Sequence, residues 1–192
     1  MSKVSLNFTK LLISSLIVGL VVFAVSCKKE EKSKEQVLVS CTMEKLNDTA
    51  IIADNNDALI YKNRKLINVD EVYSGTYSIK LDSIRQFALT TTLTLKYDKI
   101  YTVTFWKNTV ADDVFIVAQS ATNIKDFYIN SKKVIEEGQN GWKKVVLEFS
   151  IPEKFNNKDF KIYIWNASKA DVYVDDFMII EKPKDEQKKD SK

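Results

Sequence analysis

Short runs rich in Val, Ile, Thr, Tyr and Phe follow one another from residue 37 to residue 180, and they constrain the fold more than any other feature. Several alternate apolar and polar residues with a period of two, which is typical of half-buried antiparallel strands. No segment shows a long stripe with the 3.6-residue period of a helix. The pattern therefore predicts an all-β fold, a two-sheet antiparallel β-sandwich of the jelly-roll type. The predicted strands cover residues 37–43, 58–63, 76–82, 86–95, 100–107, 113–120, 125–131, 142–150, 160–167 and 171–180.

The 192 residues include no histidine and two cysteines, and this excludes several kinds of chemistry. Without histidine the chain has no Ser-His-Asp triad, no Cys-His pair and no His-ligated zinc. Two cysteines cannot form a four-cysteine metal cage. Acidic pairs such as Asp112 with Asp113 lie in turn-like stretches, and nothing singles out a pair with the geometry of a glycosidase. We therefore expect a protein that binds a ligand without catalysing a reaction.

The net charge of +3 comes from the ends of the chain. Residues 37–180 contain 18 Lys and Arg against 19 Asp and Glu, a net charge of −1. The charged segments that flank them have mixed signs and lack aromatic residues, which predicts a tether before the domain and a disordered tail at residues 182–192. A basic groove for nucleic acid is not supported, and we expect no nucleic-acid partner.

Residues 1–26 have the layout of an export signal, with two lysines before an apolar run at residues 11–25. This run is shorter than the roughly 20 residues of a membrane-spanning helix. It ends in the sequence AVSC, which resembles a bacterial lipobox, although the usual leucine is replaced by Ala24. That resemblance implies cleavage before Cys27, lipidation of Cys27 with palmitate-like acyl chains, and a tether at residues 27–36. An ordinary secretory signal or an uncleaved anchor is the alternative.

A lipidated Cys27 would leave Cys41 without a disulfide partner in the chain. Cys41 lies in the apolar run VLVSCTM. We expect it to be a buried small apolar residue rather than a reactive thiol.

Four blocks of sequence, in order, resemble the carbohydrate-binding-module jelly rolls of the galactose-binding-like superfamily. The resemblance covers about residues 38–181, and it implies a glycan-binding sandwich at residues 37–181 with no catalytic domain attached. The blocks are YSGTYSIKL at 73–81, YTVTFWK at 101–107, GW at 141–142 leading to FSIP at 149–152, and VYVDDF at 172–177.

Strand parity gives a candidate ligand site, because alternate side chains of a strand point to opposite faces of its sheet. In the run 100–107, the apolar residues Tyr101, Val103 and Phe105 predict the core-facing side. The outward-facing side chains are then those of Thr102, Thr104 and Trp106.

The run 160–166 gives the second half of that candidate site. Its isoleucines predict the core-facing side, which turns Tyr163 and Trp165 outward. Sugar rings have apolar C–H faces and polar edges, so an outward indole or phenol next to hydroxyl and amide groups suits them. We therefore predict a stacking platform that includes Trp106, Tyr163 and Trp165, with the two threonines and Asn166 as polar partners. Coverage of these rings by loops or by the other sheet is the alternative, and Trp142 is expected in the core.

The resemblance also implies a structural Ca²⁺, because such modules often hold one where the first and last strands meet. The matching positions are Glu44 and Asp175, with loop carbonyls near Ser74 and Gly75 completing the oxygen shell. The alternative is that both carboxylates are solvated or hydrogen-bonded at strand ends.

These expectations combine into one functional hypothesis. It is a lipid-anchored lipoprotein of the bacterial cell envelope, at the outer membrane and either exposed at the cell surface or facing the periplasm, that carries a non-catalytic carbohydrate-binding domain. Its partners would be a glycan and, through the N-terminal lipid, the membrane. A protein-binding adhesion or assembly module is the alternative, and a small glycan-active enzyme is a third, less favoured, possibility.

Overall fold

The structure is a computed structural model that describes residues 34–62 and 64–184. Ten of its thirteen strands coincide with the predicted runs, and the described residues contain short 3₁₀ turns but no α-helix. The strands are β1 (Gln36–Cys41), β2 (Ile51–Ile52), β3 (Leu59–Tyr61), β4 (Ile67–Asn68), β5 (Ser78–Leu81), β6 (Phe87–Leu95), β7 (Lys99–Asn108), β8 (Val114–Ser120), β9 (Tyr128–Ser131), β10 (Lys133–Glu137), β11 (Trp142–Phe149), β12 (Lys158–Asn166) and β13 (Val172–Pro183).

Some predictions concern residues outside the described ranges. The signal at 1–26, Cys27 with most of its tether, and most of the tail at 182–192 belong to this group. Within residues 34–62 and 64–184, no helix has the length and hydropathy needed to cross a membrane.

Two antiparallel sheets form the sandwich predicted from the sequence. The larger sheet has the order β10-β11-β7-β13-β5-β4, and β1 also pairs with β13. The smaller sheet has the order β6-β12-β8-β9, and a two-stranded sheet joins β2 with β3. Every strand pair is antiparallel, so the long strands expose one face and bury the other, as their alternating sequences require.

The core lies between the two sheets and draws on alternate residues of each. Tyr101, Val103 and Phe105 of β7 are fully buried, as their parity predicts. From the smaller sheet, Phe160 packs against Phe127 with ring centroids 5.1 Å apart in an edge-to-face arrangement. The two sheets turn their inner faces toward each other, so alternate residues of each strand are buried, and this accounts for the period of two in the sequence. Cys41 also lies in this core, where burial raises the pKa of its thiol to about 12, as expected of an inert cysteine.

Candidate functional site

The outer face of the smaller sheet carries a row of aromatic side chains. Trp165 of β12 lies opposite Phe87 of β6 on one side and opposite Phe115 of β8 on the other. The Trp165 ring is nearly parallel to that of Phe87, with centroids 6.4 Å apart, and its centroid lies 5.6 Å from that of Phe115. The Phe87 side chain is 53% exposed, and those of Phe115 and Trp165 are half-buried. With Tyr163, these three residues are called the aromatic face below.

A polar row lies beside the aromatic row on the same surface. The Tyr163 hydroxyl donates a 3.0 Å hydrogen bond to Gln119 Oε1, and Gln119 lies opposite both Lys161 and Tyr128 in the strand register. Burial raises the pKa of Tyr163, which keeps this hydroxyl protonated as a donor. A hollow of about 300 Å³ opens between the two rows. Its lining residues are Phe87, Thr90, Gln119, Lys161 and Tyr163.

This arrangement suits a ligand that is apolar on its faces and polar on its edges. The rings of Phe87 and Tyr163 meet edge-on with centroids 5.8 Å apart, so two ring orientations border the hollow. Amide, hydroxyl and ammonium groups of neighbouring strands stand within the same face and can bond to polar substituents of a ligand. Because these residues belong to paired strands, the surface is held in place without the ligand.

The structure places Trp106 on the other sheet, away from Tyr163 and Trp165. Trp106 points outward from β7, as predicted, but only 4% of its surface is exposed. The ring of Tyr73 stacks on it with centroids 3.9 Å apart and planes 16° apart, and a Cβ added at Gly138 would lie 2.9 Å from the indole. A single platform of all three aromatic residues therefore does not form, because β7 and β12 belong to different sheets.

The predicted polar partners are divided in the same way. Thr102 and Thr104 are half-buried on the outer face of the larger sheet, with Thr102 Oγ1 3.4 Å from Glu148 Oε2. Asn166 is fully buried, because its amide group donates to the Ala170 carbonyl and accepts from Ser168 in the turn after β12. Asn166 thus closes a turn and offers no group to a ligand in this conformation.

Trp142 is buried, but it does not lie between the sheets as expected. Its register on β11 places it on the same face as Lys144, which lies opposite Trp106. The Trp142 ring instead packs against Tyr73, with centroids 5.7 Å apart. The segment around Tyr73 therefore covers both tryptophans of the larger sheet.

Glu44 and Asp175 meet at one loop, residues 73–77. Asp175 Oδ2 accepts from the Tyr73 and Ser74 N–H groups at 2.9 and 3.3 Å, and its Oδ1 accepts from the Asp176 N–H group at 2.8 Å. Glu44 Oε1 accepts from the N–H groups of residues 76 and 77 at 2.8 and 2.9 Å. Burial raises the pKa of Asp175 to about 7, against the opposite effect of those N–H groups.

These bonds bear on the predicted Ca²⁺. Backbone N–H groups face three of the four carboxylate oxygens of Glu44 and Asp175, and N–H donors repel a cation. The described part of the chain also contains no cluster of three or more acidic or cysteine side chains able to hold a metal. The donor set in this conformation therefore does not fit the ion, and the calcium site stays a prediction for experiment.

Sequence reasoning missed several residues of the candidate site, among them Phe87, Phe115 and Gln119. The signal was present in the parity of β8, where Val114, Ile116 and Ala118 are fully buried and the residues between them alternate outward. The same rule that selected Trp165 therefore also selects Phe115 and Gln119. Phe87 was harder to find, because a register shift in β6 interrupts the alternation after Ala88.

Comparison with known proteins gives only structural matches; no family model and no curated protein matches the sequence. A family 16 carbohydrate-binding module is 19% identical, with 59% of this chain and 82% of that chain covered and a TM-score of 0.41. The CBM22-1 xylan-binding domain from Paenibacillus barcinonensis is 12% identical, with coverages of 79% and 98% and a TM-score of 0.48. The C-terminal family 22 carbohydrate-binding module of a Clostridium thermocellum protein is 12% identical, with coverages of 74% and 92% and a TM-score of 0.46. These three structures are carbohydrate-binding modules, and identities this low do not assign the chain to either family.

Proposed function

We propose that the domain binds carbohydrate, without catalysis, through the aromatic face of its smaller sheet. The observation that carries this proposal is the row of Phe87, Trp165 and Phe115 on three adjacent strands, partly open to solvent and bordered by Gln119 and Lys161. Large apolar side chains that are exposed together on a sheet mark a binding surface. Their exposure to water is unfavourable in the free domain, and a ligand that covers them removes this cost.

The dimensions and chemistry of this surface favour a sugar chain. The ring of Trp165 is 5.6 Å from that of Phe115 and 6.4 Å from that of Phe87, centroid to centroid, so the three rings form one continuous apolar strip on which a sugar ring can stack. Gln119 and Tyr163 are already joined by a hydrogen bond, so they present oriented polar groups to a ligand edge. Binding without reaction is supported by the absence of histidine from the whole sequence.

The lipoprotein part of the proposal rests on the sequence of residues 1–27. An acyl-modified Cys27 would hold the domain on a bacterial membrane, since each buried CH₂ group adds roughly 0.8 kcal/mol of affinity. The chain would then act as a membrane-anchored receptor for a glycan of the cell's surroundings or of its own envelope.

Substitution of Trp165 tests the binding surface. We expect Trp165→Ala to weaken binding to a polysaccharide about tenfold or more, because it removes the central ring of the row. The first probe is xylan, because one of the similar structures is a xylan-binding domain, and a glycan array follows. Affinity is measured by calorimetry on the full chain in mild detergent.

The matched control is Tyr97→Ala, because Tyr97 is also an exposed aromatic residue but lies outside the smaller sheet's outer face. Equal affinity of wild type, Trp165→Ala and Tyr97→Ala would remove the aromatic face as the site. A stable co-purifying protein with no glycan signal would favour the adhesion or assembly module instead.

A further inference from the structure

A basic pocket lies at one end of the sandwich, beyond the aromatic face. It has a volume of about 200 Å³ and is formed by the ends of β7 and β11, the loop after β7, and the turn between β9 and β10. Its lining residues are Lys107, Thr109, Ala111, Asp112, Lys132, Val134 and Lys143.

Two of these lysines face each other across neighbouring strands. Lys107 and Lys143 are direct partners in the antiparallel register of β7 and β11, and both share the parity of the core residues of their strands. Like charges directly opposite each other on a sheet are destabilising. The pair therefore has a cost in the free energy of folding that hydrophobic residues at these positions would avoid.

Lys107 is buried without a counter-ion. Only 3% of its surface is exposed, and its ammonium group donates one hydrogen bond, to the Ala111 carbonyl at 3.2 Å. Burial lowers the pKa of Lys107; the charges of Asp112 and Asp113 oppose this shift, while those of Lys143 and Lys132 add to it. A buried ammonium group with unused donors is stable only where an anion or several acceptors compensate it.

The acidic residues nearby compensate Lys107 only in part, because neither aspartate forms a direct ion pair with it. Asp113 pairs with Lys132 at 2.8 Å. Asp112 lines the pocket, but among the described residues no ammonium group lies within 4.0 Å of its carboxylate. Lys143 likewise has no ion pair in the described part of the chain. Three lysines against two aspartates leave the pocket with an excess of one positive charge.

We propose that this pocket is an oxyanion-binding site, in which Lys107 and Lys143 hold a phosphate, sulfate or carboxylate group. The bound group would compensate the lysine pair and use the donors of Lys107 that the protein leaves free. The pocket also adjoins the aromatic face, because Lys132 Nζ lies 5.6 Å from the centroid of the Phe115 ring. The anion can therefore be a free ion or an acidic substituent of a glycan on the aromatic face, and only the second source depends on the proposed function.

Titration of the full chain with inorganic phosphate, followed by amide NMR shifts, tests the site directly. We expect saturable shifts confined to residues 107–113, 132–134 and 143, and at least a fivefold weaker affinity in both Lys107→Met and Lys143→Met. Lys143 is only half-buried, so Lys143→Met is informative even if Lys107→Met fails to fold. Lys144→Met is the matched control, because Lys144 is the next residue on β11 and points to the opposite face. Shifts that do not saturate, or that are the same in Lys143→Met as in wild type, would overturn the proposal.

A second arm separates the two sources of the anion. Polygalacturonate and its fully methyl-esterified form share a backbone and differ in charge. Tighter binding of polygalacturonate than of the ester, lost in Lys143→Met and competed by phosphate, would establish an acidic glycan. Saturable phosphate binding without that preference would establish a free anion. Loss of neutral-glycan binding in Trp165→Ala is independent of both results, so failure of the pocket and failure of the aromatic face can be told apart.

Discussion

At the scale of single residues, two carboxylates shape the larger sheet by holding one loop. Glu44 and Asp175 together accept hydrogen bonds from four backbone N–H groups of residues 73–77. Gly75 in this loop has a φ of 64°, and a Cβ there would lie 2.5 Å from Glu44 Oε1, so only glycine allows the carboxylate to approach. The loop positions Tyr73, which covers Trp106 and Trp142. The acidic residues thus explain why the two tryptophans of this sheet are almost completely covered.

Replacing Asp175 should therefore destabilise the fold. In Asp175→Asn, the new NH₂ group faces backbone N–H donors, so at least one half-buried donor loses its acceptor at a cost of about 1 kcal/mol or more. Urea denaturation followed by tryptophan fluorescence measures the change in the free energy of unfolding. Asp48→Asn is the control, since Asp48 is exposed in the turn before β2 and should change stability by less than about 0.5 kcal/mol.

The binding of Ca²⁺ is tested on the wild type and on Asp175→Asn. Because N–H groups already occupy the carboxylates, we expect the melting temperature of the wild type to be the same with chelator and with added Ca²⁺. A rise with Ca²⁺ that Asp175→Asn abolishes would contradict this expectation and establish the site implied by the resemblance.

At the scale of elements, the sequence predicts the longer strands with alternate burial, and it misses the two-residue strands β2 and β4 and the fully exposed strand β10. Each of the ten predicted runs is a strand, because alternate burial imposes a period of two. β10 was missed, because every residue of Lys133–Glu137 is exposed and nothing selects apolar residues at alternate positions. The outward direction of Trp106 and Trp165 was also predicted correctly. Their separation was not, because sheet membership depends on pairing between distant strands, which local alternation does not encode.

The contrast between edge and central strands leads to a stability prediction. Ile162 is fully buried in β12, which has a partner on both sides, so Ile162→Ala should destabilise the domain by about 2–5 kcal/mol. Ile135 in the edge strand β10 is 51% exposed, and Ile135→Ala should change stability by less than about 0.5 kcal/mol. Thermal melts of both variants measure this difference. Equal destabilisation would mean that β10 is covered in solution, for example by a partner.

At the scale of the whole molecule, charge and fold are divided between different parts of the chain. The net charge of +3 arises from the terminal segments, while residues 37–180 carry −1 and nearly all the aromatic residues. The segment that follows Cys27 leads into β1, which pairs with β13 in the larger sheet. The proposed anchor therefore connects to the larger sheet, whereas the proposed binding surface is formed by strands of the smaller sheet. Different residues of the chain thus form the anchor and the binding surface.

This division predicts that the anchor can be removed without loss of the domain. Cys27→Ser should abolish incorporation of labelled palmitate and move the protein from the membrane fraction to the soluble fraction, because the acyl chains supply the affinity. The variant should keep the melting temperature and glycan affinity of the wild type. Cys41→Ala is the matched control, because burial raises the pKa of that thiol to about 12 and closes it to acylation, so labelling should persist. Retention of Cys27→Ser in the membrane fraction, with no label in either protein, would instead indicate that residues 1–26 remain as an uncleaved anchor.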